Sequence, residues 1–129
     1  MSLKRHEDVR LTPYQDDKGI WTIGIGHNMN YPITMEAAEK ILKDDLQNVL
    51  ECYENLPDSV TGGLSTARRD VILEMIFQLG CRGFRGFKKM LKAMEYKDHK
   101  EAYEQMVDSQ WYRRYTTRAN ELAEKFRRG

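Results

Sequence analysis

The stretch HEDVRLTPYQDDKGIWTIGIGH, residues 6 to 27, holds Glu7 and Asp16 nine positions apart, followed by Thr22 and His27. Two carboxylates facing each other across a groove suit hydrolysis of a glycosidic bond. One protonates the leaving oxygen, and the other activates a water or attacks the sugar. The acid partner has to keep its proton near neutral pH, which partial burial against apolar walls supplies, whereas an acid in a wet turn keeps its charge. Thr22 is β-branched, so its hydroxyl is held at a stiff χ1, and Gly24 and Gly26 let backbone approach a sugar closely. The same residues also read as a helix end, a hairpin turn and a strand former. Among 20 acidic residues the Glu–Asp spacing has little specificity by itself. A dinucleotide loop is disfavoured, because Met29 stands where G-x-G-x-x-G needs its third glycine.

These groups need elements to hold them. The charged segment before Arg10 reads as a short helix. Leu11 to Tyr14 reads as an edge strand, since Pro13 cannot donate to a central ladder. Gln15 to Gly19 reads as a turn, and Ile20 to Ile25 as a β-rich strand. A second turn from His27 to Pro32 leads to Thr34, a helix N-cap. Ala37, Ala38, Ile41, Leu42, Leu46, Val49 and Leu50 then recur at helical spacing, predicting a helix from about Met35 to Tyr53. Leu56-Pro57-Asp58 and Thr61-Gly62-Gly63 break it, and Ser65 or Thr66 caps the next helix. That helix, about Ala67 to Leu79, is apolar almost all round and so is the expected central buried helix, with Gly80 as its stop. Further amphipathic stretches lie at Phe84–Met94, Lys100–Val107 and Thr117–Phe126. The expected fold is α+β, with a small β-hairpin lobe at 8–33, a connecting helix at 34–54 and a helical lobe at 65–129 joined by the N-terminal helix 1–7. A cleft is expected where the lobes meet.

Composition agrees with one folded domain: 129 residues, 40% hydrophobic, 32% charged with mixed sign. The net charge of +1 conceals an asymmetry, with 8 basic against 13 acidic residues in 1–80 and 13 against 7 in 81–129. The basic half could meet a polyanion, or be a solvated surface. His6, His27 and His99 are scattered and Cys52 and Cys81 lack metal-ligand spacing, so no metal and no cofactor are expected. The two cysteines read as reduced, buried small hydrophobes unless the mature protein meets an oxidising compartment. No apolar run approaches the roughly 18 residues of a span, and MSLKRHED lacks a signal-peptide core, so membrane insertion and ordinary secretory export are not expected. The opening MSL looks like a vector start, which leaves room for a trimmed segment.

The order Glu7, Tyr14, Asp16, Gly19 and then WTIGIGH resembles the signature of the bacteriophage-type lysozymes, the T-even phage endolysin family. ITMEAAEKILKDDL, ARRDVILEMIFQLG, the Gly86-Phe87 pair, SQWYRRYTTRA and KFRRG resemble later family segments in the same order, so the resemblance covers nearly the whole chain. It implies a lysozyme-like fold and hydrolysis, with inversion, of the β-1,4 bond between N-acetylmuramic acid and N-acetylglucosamine in bacterial peptidoglycan. On matching positions Glu7 is the general acid, and Asp16 with Thr22 places the water. Gly26, Phe77, Gln78 and Gln105 line the sugar groove. Arg118 pairs with the catalytic Glu, and His27 pairs with Asp45. Trp111 and Tyr112 read as core or as a platform. The implied partner is a peptidoglycan glycan strand, met by a monomer of phage or prophage origin held in the host cytoplasm until lysis and then acting at the cell wall or periplasm.

The chain departs from the family pattern in places. Asn28–Ile33 is short where larger members carry a loop and an extra strand. Glu74 replaces a neutral amide on the buried helix and needs a partner, such as an arginine. A lytic transglycosylase needs the Glu but no water-placing Asp, so Asp16 and Thr22 together argue against it. A non-catalytic glycan-binding or phage structural module would be expected to lose Glu7 or Thr22. A nucleic-acid binder, suggested by Arg113-Arg114 and Arg127-Arg128, has no recognition motif and ranks last.

Overall fold

The computed structural model describes residues 9–25 and 27–129. The expected first helix, and with it Glu7, lies outside the described residues, as does Gly26. Strands β1 (Val9–Gln15), β2 (Trp21–Ile25) and β3 (His27–Asn28) form one antiparallel sheet in that order. The turn between β1 and β2 is built by Asp16. Its Oδ1 accepts from the Lys18 and Ile20 amides at 2.8 and 2.9 Å, and Gly19, at φ +78°, supplies the left-handed residue. The β1–β2 register slips between Arg10↔Gly24 and Tyr14↔Thr22, so Leu11, Thr12 and Pro13 together oppose Ile23. A bulge at the residue that cannot donate keeps the ladder intact on both sides. The expected turn at His27 is corrected: His27 pairs with Ile23 and Asn28 with Thr22, and the Met29 amide extends the ladder to the Trp21 carbonyl at 2.8 Å. Gly24, at φ +73°, takes a conformation few other residues adopt.

Helix α1 spans Met35–Glu54, as its periodicity predicts, and Thr34 Oγ1 caps it by accepting from the Ala37 amide at 3.1 Å. The breaker region encloses a short α2 (Asp58–Thr61). Helix α3 runs Thr66–Arg85, capped by Ser65 Oγ on the Arg68 amide at 3.2 Å. The expected stop at Gly80 is half right: Gly80 leaves helical geometry at φ 74°, ψ 162°, but the chain regains it and carries Phe84 within α3. Helices α4 (Lys88–Glu95), α5 (His99–Val107), α6 (Gln110–Arg114) and α7 (Thr116–Arg128) follow. Asp98 caps α5 and Ser109 caps α6, through the Glu101 and Tyr112 amides.

The chain divides into two compact units, with the boundary between Ile41 and Leu42 inside α1. The second unit has the core. Val71, Ile72, Met75, Ile76 and Phe84 of α3 are buried with Met90 and Met94 of α4, Met106 of α5 and Leu122 and Phe126 of α7. Each large side chain so buried contributes about 1.5–3 kcal/mol, and the flexible methionines fill irregular gaps. Arg68 ties the two ends of the unit: its Nε donates to the Phe126 carbonyl at 2.8 Å and its guanidinium lies 5.4 Å from the Phe126 ring centroid. Helix α1 is less buried than its periodicity suggests. Val49 and Cys52 are inside, whereas Leu42, Leu46 and Leu50 stay exposed.

The reading of two reduced thiols is overturned. Cys52 and Cys81 form a disulfide, with Cα atoms 5.7 Å apart and a sequence separation of 29. Closing a loop of that length stabilises the fold by about 3.5 kcal/mol in the chain-entropy description.

His99, at the first position of α5, packs edge-on against Phe126 with ring centroids 5.9 Å apart, and its Nε2 is buried with no hydrogen-bond partner among the described residues. Burial first, then the neighbouring Arg68 and Lys97, push its pKa below the ordinary 6.5, and Asp98 only partly opposes them. The unfolded chain therefore takes up a proton that the native state resists, so stability falls as pH drops through about 6.5. Urea midpoints should be lower at pH 5.5 than at pH 8, and His99→Phe should flatten that slope. An unchanged slope in the variant would locate the titration elsewhere.

Candidate active site

In the first unit the hairpin turn fixes two of the candidate residues on the backbone of one residue, Ile20. Asp16 Oδ1 accepts from the Ile20 amide at 2.9 Å, and the Thr22 hydroxyl donates to the Ile20 carbonyl, also at 2.9 Å. Thr22 is 4% exposed, the one buried polar residue of the described chain, while Asp16 is half-buried. The carboxylate and the hydroxyl are thus held to the two ends of a single residue's backbone. Asp16 has a second oxygen that the turn does not use, and the Thr22 oxygen can still accept a hydrogen bond. Such a pair can orient a water between an anionic acceptor and a hydroxyl oxygen. The importance of Ile20 could not have been read from its side chain, because only its backbone takes part. His27 is half-buried on β3 opposite Ile23, and Asp45 is an exposed residue of α1.

In the second unit Phe77 and Gln78 come together on α3. Phe77 is 47% exposed and forms, with Leu73 and with Leu42, Leu46 and Leu50 of α1, an apolar groove of about 590 Å³. Glu74 and Gln78 are its polar members. The Trp111 indole donates to Gln78 Oε1 at 2.9 Å. Since that nitrogen can only donate, it fixes which way the amide points and leaves the Gln78 Nε2 hydrogens to donate outward. Trp111 is core rather than platform: 4% exposed, edge-on to Phe87 with centroids 6.3 Å apart. Gln105 lies apart from this groove. It donates to Glu101 at 2.8 Å and lines a separate cavity of about 620 Å³ with Ser109, Lys88, Lys89 and Arg114.

Arg118 donates from Nη2 to both oxygens of Glu74 and from Nη1 to Glu121 at 2.9 Å. The bonds to Glu121 and then to Glu74 raise its pKa further above the arginine value. Glu74 therefore has the arginine its position requires. The second acid, Glu121, is legible afterwards as the i, i+3 neighbour on α7. Among the described residues no group of three or more His, Cys, Asp or Glu side chains could hold a metal ion, and no helix is long and apolar enough to cross a membrane.

Residues 4–128 match the family model described as phage lysozyme. The chain belongs to the phage lysozyme family. It is 28% identical to a probable T4-type lysozyme of Dictyostelium discoideum, over 93% of this chain and 88% of that protein. It is 33% identical to an endolysin of Salmonella phage P22, over 78% of this chain and 72% of that one. It is also 30% identical to the pre-baseplate central spike protein of Enterobacteria phage T4, over 93% of this chain but 26% of the spike protein. The alignment with the Dictyostelium protein runs to 149 positions but takes in 93% of the 129 residues, about 120, so roughly 29 of its positions fall opposite gaps in this chain. The lysozyme-like α+β architecture and the class of activity, a glycosidase acting on peptidoglycan, come with membership.

The turn geometry separates the structural and chemical duties of Asp16. Asp16→Asn keeps an Oδ1 acceptor for both amides and should leave the thermal midpoint nearly unchanged. Asp16→Ala loses both bonds and should cost about 1–2 kcal/mol. Equal midpoints for the two variants would mean that the turn does not depend on this side chain.

Proposed function

We propose that this phage lysozyme hydrolyses the β-1,4 bond between N-acetylmuramic acid and N-acetylglucosamine, with Glu7 as general acid and Asp16 and Thr22 placing the attacking water. The observation that carries the reading is the shared anchoring of Asp16 and Thr22 on Ile20, which holds an anionic acceptor and a hydroxyl in fixed relation. Glu7 protonates the glycosidic oxygen as the bond to the anomeric carbon breaks. Water, deprotonated toward Asp16, adds to that carbon from the opposite face, which inverts it. Thr22 accepts from the same water and limits its orientations, so part of the entropy cost of positioning it is met in advance.

In this reading Gly26 admits the sugar close to the backbone, Phe77 offers an apolar face, and Gln78 and Gln105 serve N-acetyl groups. The outward Nε2 of Gln78 suits an acetamide carbonyl, because its own acceptor is already engaged by Trp111. Arg118 orients Glu7, with Glu74 and Glu121 limiting its freedom. His27 and Asp45 form a supporting pair. The reaction is proton transfer and water addition, so the proposed enzyme works without a cofactor, as a monomer on glycan strands. It is held in the host cytoplasm until lysis and then acts at the wall. The likeness to part of a spike protein favours a second reading, a module that engages glycan within a larger assembly.

Turbidity loss of purified cell walls, followed by mass spectrometry of the fragments, tests the proposal. Glu7→Gln should lower the rate by on the order of 10²–10⁴-fold, and Asp16→Asn and Thr22→Val should also slow it while the fold is kept. New reducing ends are the expected product. Anhydro ends would assign a transglycosylase, full activity in Glu7→Gln would remove that residue from its role, and wall binding without cleavage would favour the module.

A further inference from the structure

Helix α1 is the only stretch of chain joining the two units, because their boundary falls inside it. Among the described residues it packs sparsely on the other elements. Residues 42–54 of this helix belong to the second unit, and their contacts with the rest of it include the buried Val49 and Cys52, the Arg69 guanidinium 6.0 Å from the Tyr53 ring centroid, and the Cys52–Cys81 bond. Leu42, Leu46 and Leu50 contribute less, being exposed along one side of an open groove. The disulfide is a covalent link between α1 and α3. It reaches α3 directly after Gly80, where the backbone leaves helical geometry.

The two sulfurs differ in access. Cys52 is 4% exposed and belongs to the core, whereas Cys81 is half-buried and lines a concavity of about 340 Å³ with Asp45, Asn48 and Phe77. An external thiol or disulfide meets Cys81 first. In the oxidising direction, the Cys81 thiolate attacks a low-molecular-weight disulfide such as oxidised glutathione, releasing one glutathione thiol and leaving a mixed disulfide. The Cys52 thiolate then attacks the Cys81 sulfur and releases the second. Two protein thiols become one disulfide, and one glutathione disulfide becomes two thiols. The reverse expels the Cys52 thiolate into apolar surroundings, which slows reduction without preventing it where a reducing thiol is in excess.

We infer that Cys52 and Cys81 form a redox latch on the connecting helix, open in a reducing compartment and closed in an oxidising one, and that the closed state is the working enzyme. This rests on the reading of a hydrolase that passes from cytoplasm to wall. Opening the latch loosens α1 from α3, the two helices whose Leu42, Leu46 and Leu50 on one side and Leu73, Phe77 and Gln78 on the other form the apolar groove of the second unit.

The 129-residue protein is oxidised with glutathione disulfide, or reduced with dithiothreitol under argon. Thiol titration, thermal midpoint and wall-clearing rate are then measured in both states, at a temperature where circular dichroism shows both folded. Titration should find no thiols and two thiols respectively. Reduction should lower the midpoint by roughly 10 °C and the clearing rate at least fivefold, with reoxidation restoring both. Brief exposure to oxidised glutathione should place the glutathione adduct on Cys81, not on Cys52. The Cys52→Ser, Cys81→Ser double variant should be insensitive to dithiothreitol; if it does not fold, reduced and reoxidised wild type carry the comparison. Equal clearing rates in the two states overturn the latch, as does a dithiothreitol effect that persists in the double variant, or thiols that stay free after oxidation. Protein inactive on walls in both states overturns the hydrolase reading instead, and the midpoint shift alone then decides the latch.

Discussion

A helix that forms the centre of a core and also a wall of a groove cannot be apolar on every side, and α3 meets both demands. Val71, Ile72, Met75 and Ile76 go inward. Glu74, Phe77 and Gln78 face the groove, and each is constrained by a group from elsewhere: Glu74 by Arg118, Gln78 by the Trp111 indole, Phe77 by neighbouring leucines. The polar groups on this face are usable because their other contacts are already made, so little freedom is lost when a ligand arrives. The second unit is arranged around that division: α7 supplies Arg118 and Phe126, α6 supplies Trp111, and the remaining helices fill the space behind.

The first unit solves a smaller problem with fewer resources. A two-stranded hairpin is marginal alone, and here a third, two-residue strand and a bulge at Pro13 extend it. Its stiffness comes from local bonding. The Asp16 carboxylate closes the turn and the Thr22 hydroxyl closes on the same residue. The groups proposed for chemistry are thus also groups that shape the loop, which fixes their geometry by local bonds.

Much of this was legible in the sequence because it is local. Periodicity gave α1 within a residue of each end, Thr34 and Ser65 were recognisable caps, and the Asp–Gly turn announced itself. Features that depend on pairing between distant segments were not legible. The third strand at His27 needed a β2 edge to pair with, the continuation of α3 beyond Gly80 needed Phe84 to find a core, and the disulfide needed two helices brought side by side. Of the site residues, Phe77 and Gln78 line one groove. Gln105 was grouped with them by resemblance and lines a different cavity. Glu74 was recognisable as needing a cation, although only the packing of α3 against α7 identified which one.

The two tryptophans divide between the units, with Trp21 half-exposed on β2 and Trp111 buried and hydrogen-bonded in the helical body. Indole emission shifts to the red in water and to the blue in apolar surroundings, so the molecule carries a natural colour label for each part. The blue component follows the integrity of the helical core and the state of the Gln78 amide, and the red component follows the sheet. A single emission spectrum, recorded without any added dye, therefore distinguishes loosening of one part from collapse of the other.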